Sequence, residues 1–167
     1  DGIRLDYDRL VLATGARANV PTLAGMERAR RDRASVSATP AELDLGGAPL
    51  PRGVVALRDL ADAEHVRAAV SAGQRIVVLG AGVLGMELAL AAAEAGAEVV
   101  VAYHSAAPMN RTLDENGGRV LASAAPADGG AMAPHARAES IVRRYDDHGT
   151  AWFDGLVRAD GTGLAGD

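Results

Sequence analysis

The chain has 167 residues, 49% of them hydrophobic and 23% charged, the composition of one ordinary globular domain or slightly more. Its net charge of -5 argues against a nucleic-acid backbone or an anionic membrane as the main partner and leaves small molecules or proteins. With no cysteine, and with arginine for all 17 basic residues, it has no disulfide framework, thiolate metal site, Walker lysine or Schiff-base lysine.

Aromatic residues make up only 3%, so the core must come from Ala, Val and Leu. Residues 2–15 read as a short alternating strand, a turn and a buried apolar strand that ends in small residues. A chain that opens this way is expected to be a piece of a longer protein. Residues 18–52 turn to Pro, Gly, Arg, Ser and Asp and predict a long surface connection; Glu27 and Asp32 interrupt its cluster Arg28, Arg30, Arg31 and Arg33, which reads as a solvated face. A short strand over Gly53–Leu57 precedes a helix over Asp59–Ala72 that Gly73 stops. Next come an apolar strand at Arg75–Leu79, a helix at Val83–Ala95 and a second apolar strand at Glu98–Ala102. Such continuous apolar strands, joined by a buried helix, belong to a parallel sheet covered on both faces. Glu87, Glu94 and Glu98 interrupt the apolar stretch Ile76–Ala102 and speak against a membrane span. A weaker helix over Leu113–Ala125 contains Gly117 and Gly118, and Ala131–His135 is the expected third parallel strand. Asp146-Asp147-His148-Gly149 and Asp160-Gly161 are hairpin signals separating Ser140–Tyr145, Ala151–Val157 and Gly163–Asp167, which predicts an antiparallel meander.

Gly80-Ala81-Gly82-Val83-Leu84-Gly85 spells GxGxxG, weak alone but placed here directly after an apolar strand and at the start of a helix. In that setting Gly80 permits the tight turn, Gly82 lets the backbone approach a pyrophosphate, and Gly85 lets helix and strand pack closely. The helix N-terminus then receives the diphosphate. The fold class is therefore α/β, a Rossmann-like parallel sheet followed by an antiparallel β-meander. An NAD-selective site usually carries Asp or Glu about 20 residues past the motif, to bind the ribose 2′-hydroxyl. Here the second strand runs out through Ala102-Tyr103-His104-Ser105. Tyr103, His104 and the later Arg111 would tolerate a 2′-phosphate, which tilts towards NADPH, while a full glycine at 85 tilts back towards NADH; the cofactor is NAD(P). Ordinary loop exposure is the other reading of Tyr103 and His104.

These motifs, with Tyr7-Asp8-Arg9-Leu10-Val11-Leu12-Ala13-Thr14-Gly15-Ala16, Leu57-Arg58-Asp59-Leu60-Ala61-Asp62-Ala63 and Pro108-Met109-Asn110-Arg111-Thr112-Leu113-Asp114, make the chain resemble the FAD-dependent pyridine nucleotide-disulfide oxidoreductases of glutathione reductase-like fold. The resemblance is strongest to the ferredoxin reductase and NAD(P)H nitrite reductase flavin-module branch. It implies a C-terminal part of an FAD-binding domain over residues 1–60 and an NAD(P)-binding domain over 61–167, truncated at its C-terminal end. It implies that Ala13, Thr14 and Gly15 pack near FAD, and that Glu87 lies near the nicotinamide end unless it is a plain helix-surface glutamate. Many relatives carry a flavin-shielding aromatic where this chain has Val83.

The implied activity is hydride transfer from NAD(P)H to FAD, then electron delivery to an acceptor such as an iron–sulfur protein or a sirohaem domain. Cofactors carry such chemistry, so no catalytic acid, base or nucleophile is assigned. His65, His104, His135 and His148 lack ligand spacing, and no metal site is expected. No secretory signal is visible, which makes a cytoplasmic electron-transfer flavoprotein the expectation. The alternative function is a non-catalytic NAD(P)-binding or sensing domain. A plain Rossmann dehydrogenase fits less well, because its motif normally lies near the N-terminus.

Overall fold

The computed structural model describes residues 2, 4–15, 18, 20–26, 50–124 and 130–167. Among these residues the first helix or strand is α1, Leu60–Ser71, started by a reciprocal cap. Asp59 Oδ1 accepts from the Asp62 N–H at 3.0 Å, and Asp62 Oδ2 accepts from the Asp59 N–H at 3.2 Å. Two of the orphan donors of the first turn are thereby satisfied. Gly73, at φ +71°, turns the chain out of the helix.

The βαβ unit follows as the glycine spacing predicts: β1 Ile76–Leu79, α2 Val83–Glu94 and β2 Val99–Ala102. After α3, Glu115–Ala124, comes β3, Gly130–Ala133. The three strands are parallel in the order β1-β2-β3, with Ile76 opposite Val99 and Val99 opposite Gly130. Period-two alternation gives the sheet two apolar faces. Val78, Val99, Val101 and Tyr103 pack with Met86, Ala89 and Ala92 of α2. Alanines at 89 and 92 keep helix and sheet close. Val77, Ala102 and Ala133 belong to the opposite face, with Leu23, Ile141 and Leu156.

That opposite face is covered by the meander: β4 Ala138–Tyr145, β5 Ala151–Arg158 and β6 Gly163–Ala165. The strands are antiparallel in chain order, as their hairpin signals predict. In the first hairpin Asp146 accepts from the backbone N–H of His148 at 3.0 Å and of Thr150 at 2.8 Å, and from Trp152 Nε1 at 3.0 Å. The result is three layers: α2, the parallel sheet and the meander.

Four expectations need correction. Residues 4–15 form no strand; they are exposed, Val11 at 84%, because no partner strand for this apolar run lies among the described residues. Residues 53–57 likewise form no strand. The expected surface connection is partly structural, since Ala24 exchanges backbone hydrogen bonds with Glu139 and Ile141, Leu23 is buried, and Arg52 accepts from the Phe153 N–H at 2.7 Å. Its cluster from Glu27 to Arg33 lies outside the described residues. β3 stops two residues before His135 because Pro134 has no N–H to donate and His135 takes a left-handed φ of +56°.

Candidate nucleotide-binding site

The site is built where β1 gives way to α2. The Gly80 N–H donates to Ala102 O at 2.8 Å, carrying the ladder one residue past the strand. Gly80 then turns at φ +113°, a conformation side-chain-bearing residues rarely adopt. Its carbonyl faces Gly85 so closely that a Cβ there would collide with it. Gly82 is the N-cap of α2; a Cβ there would meet nothing within 4 Å, and no side chain caps the helix. The first N–H groups of α2 therefore have no side-chain acceptor from the N-cap, with the positive end of the helix dipole behind them.

Gly85 is thus fixed by the chain's own packing, whereas Gly82 is not. The space above Gly82 is what a bound diphosphate needs.

Ala81 is buried, and its carbonyl accepts from the Met109 N–H at 2.7 Å, which fastens the loop after β2 to the glycine turn. Met109 does this with φ +54°. Ser105 Oγ donates to Ala107 O at 2.8 Å, and Gly118 lets α3 approach that loop, since a Cβ at 118 would lie 2.7 Å from Pro108 O. Neither Met109 nor Gly118 was singled out from the sequence as a site support. Arg111, Val83, Leu84 and Glu87 are exposed around this junction.

Tyr103 and His104 follow β2 but differ in environment. His104 is exposed, whereas Tyr103 is 5% exposed within the core cluster, where burial raises its phenol above the ordinary tyrosine value. The ladder continues past both strand ends: the Tyr103 N–H donates to Ala133 O at 3.1 Å, Ala136 N–H to Tyr103 O at 2.8 Å and His135 N–H to Ser105 O at 3.3 Å. His135 therefore stands beside Ser105 at the carboxyl ends of the parallel strands, where α/β sheets bind ligands. Counting strand ends, rather than motif residues, would have found it.

Ala13, Thr14 and Gly15 are exposed and lie in a different stretch from the glycine turn. Gly15 takes φ +74°, and a Cβ there would sit 3.8 Å from Arg58 Nη2. Among the described residues, no group of three or more His, Asp or Glu is placed to hold a metal ion, and no helix is long and apolar enough to cross a membrane.

The model of one family, pyridine nucleotide-disulphide oxidoreductase, matches residues 1–162. The chain belongs to that family. Members of this oxidoreductase family use FAD and NAD(P)H. The chain is 35% identical over 117 residues, 69% of its length, to the ferredoxin–NAD(+) reductase component of the anthranilate 1,2-dioxygenase system of Burkholderia cepacia. It is 28% identical over 96% of its length to nitrite reductase [NAD(P)H] of Bacillus subtilis strain 168. It spans 23% and 16% of these two relatives, about a fifth of their length. Among solved structures it is similar to a NAD-dependent persulfide reductase from A. fulgidus, with TM-score 0.68 and 26% identity over 96% of this chain and 24% of that one. The family placement and the α/β fold expected from the motifs agree with these findings.

Proposed function

We propose that this chain is the NAD(P)H-binding portion of an FAD-dependent oxidoreductase that passes hydride from NAD(P)H to FAD and electrons onward to an iron–sulfur or sirohaem acceptor. The observation that carries the nucleotide site is the open, uncapped N-terminus of α2 beneath Gly82, at the carboxyl ends of the parallel strands. In this reading the N–H groups at Val83 and Leu84 bind the diphosphate, Gly82 admits it, and Glu87 lies towards the nicotinamide. Val83 offers an aliphatic surface where many relatives place an aromatic.

A bound flavin would supply the ring that accepts hydride. Residues 1–60 are assigned to the flavin-binding domain and 61–167 to the NAD(P)-binding domain. Residues 4–15 support the first part of that assignment, since Leu10, Val11 and Leu12 expose an apolar edge beside Ala13, Thr14 and Gly15, as a segment completed by a second domain would, whereas Leu23 and Val54 pack with Ile141 and Leu156 of the second part. A cytoplasmic setting belongs to the same proposal.

Anaerobic addition of NADH or NADPH to the full-length protein tests it. The protein should purify yellow and bleach on addition. A colourless protein that still binds NAD(P)H would replace this reading with that of a sensor domain.

A further inference from the structure

Ala63, Val66 and Val70 form an apolar row along one face of α1, yet no residue of that helix is buried. A helix of 12 residues is marginal in water without packing on a neighbour. α2 presents a matching row, Leu88, Ala91 and Ala95, and between the two rows lies a groove of about 370 Å³. Alanine supplies much of both walls, and side chains so short leave the interval between the helices unfilled. The volume is within the range of small-molecule sites, which are mostly apolar with a few polar groups that fix orientation.

Those polar groups are Arg67 and Ser71, the two polar side chains lining the groove. Four residues apart on α1, they are neighbours on one face of the helix. Among the described residues the ion pairs are made by Arg4, Arg75, Arg144 and Arg158, which leaves the Arg67 guanidinium without a carboxylate. Glu64 and Glu94 stand exposed on the same two helices, and neither lines the groove. A guanidinium binds a carboxylate through two parallel hydrogen bonds, and the aliphatic rows beside it suit a hydrocarbon chain.

We propose that the groove between α1 and α2 binds a free medium-chain aliphatic carboxylate, its head held by Arg67 with Ser71 and its chain laid between Val66, Val70 and Leu88. The occupant gives α1 the apolar cover that α2 alone does not. None of residues 80–85 lines the groove, so the inference does not rest on the nucleotide-site reading.

Octanoate, octanol and octylammonium, each titrated into the chain at pH 7 and followed through the valine and leucine methyl resonances, test it. Octanoate should shift Val66, Val70 and Leu88 saturably, with a dissociation constant of about 1 mM or below. Octanol should bind at least about fivefold more weakly, and octylammonium more weakly still. Arg67→Met keeps an apolar stem without the charge and should bring octanoate down to the affinity of octanol. Ala91→Phe, at an exposed position, should fill the groove and weaken octanoate and octanol by about tenfold or more, while unchanged methyl resonances of the meander report that variant as folded. Octanol binding as tightly as octanoate, or undiminished octanoate binding by Arg67→Met, would overturn the choice of a carboxylate. Shifts that do not saturate, or that survive Ala91→Phe, would overturn the site.

Discussion

The carbonyl oxygen of Gly80 occupies the space that a Cβ on Gly85 would fill. Gly85→Ala gains helix propensity of about 1 kcal/mol but forces backbone against backbone at the strand-to-helix turn, which cannot yield as a flexible side chain would. The net effect should be a loss of about 2 kcal/mol, read as a lower urea midpoint at unchanged slope. An unchanged midpoint would mean that the turn is looser than described.

The neighbouring glycines of α3 should respond with opposite signs. A Cβ at Gly118 would press on Pro108 O and Ala107 Cβ at 2.7 and 2.8 Å, whereas one at Gly117 would meet the exposed Asp114 carboxylate at 3.2 Å. Gly118→Ala should destabilise by about 1 kcal/mol, and Gly117→Ala should stabilise by about 0.5 kcal/mol through helix propensity. Thermal unfolding of both variants, side by side, checks the order. The reverse order would contradict the packing of α3 on the loop after β2.

Asp146 links the first hairpin to the chain's one tryptophan. Its hydrogen bonds from Trp152, and then from Thr150, hold the carboxyl below the ordinary carboxylate value. Because the folded value is depressed, the stabilisation is present above the unfolded carboxylate value and disappears as pH falls through the folded one. Trp152 fluorescence should therefore stay constant down through ordinary carboxylate titration and change only at lower pH. Asp146→Asn should alter the neutral-pH spectrum and remove that acid transition. A transition at the ordinary carboxylate value would show that the bond to Trp152 does not persist in solution.

The cap of α1 is the last stability test. Asp59→Ala removes the acceptor for the Asp62 N–H and should cost about 1 kcal/mol. Circular dichroism should report the loss as helix content. Since no α1 residue is buried, packing has little with which to mask it.

Most of this architecture was legible because it is local. The βαβ unit could be read from Val-rich runs flanking GxGxxG, and the meander from Asp-Gly spacers at regular intervals. Residues 4–15 misled because an apolar alternating run specifies a strand only when a partner strand exists to receive it. Leu23 and Arg52 were unreadable for a related reason: their places on the meander come from contacts a hundred residues or more away in sequence, with Ile141 and Trp152 among them. Within the site, the glycines carry their own signature. The direction of Tyr103 into the core depended on which face of β2 lay beneath α2, and the approach of His135 to Ser105 depended on the pairing of β2 with β3.

Gly82 offers the most direct test of the nucleotide site, because structure and binding should separate there. A side chain at 82 meets nothing, and Asp is a better N-cap than Gly by a few tenths of a kcal/mol, so about 0.3 kcal/mol of added stability is expected from Gly82→Asp. The same carboxylate would stand where the diphosphate approaches. Titration of wild type and Gly82→Asp with NADPH and NADH, beside their thermal unfolding, should give saturable binding in the first and none in the second at equal or higher stability. Undiminished binding by a folded Gly82→Asp protein would contradict the placement of the diphosphate at the start of α2.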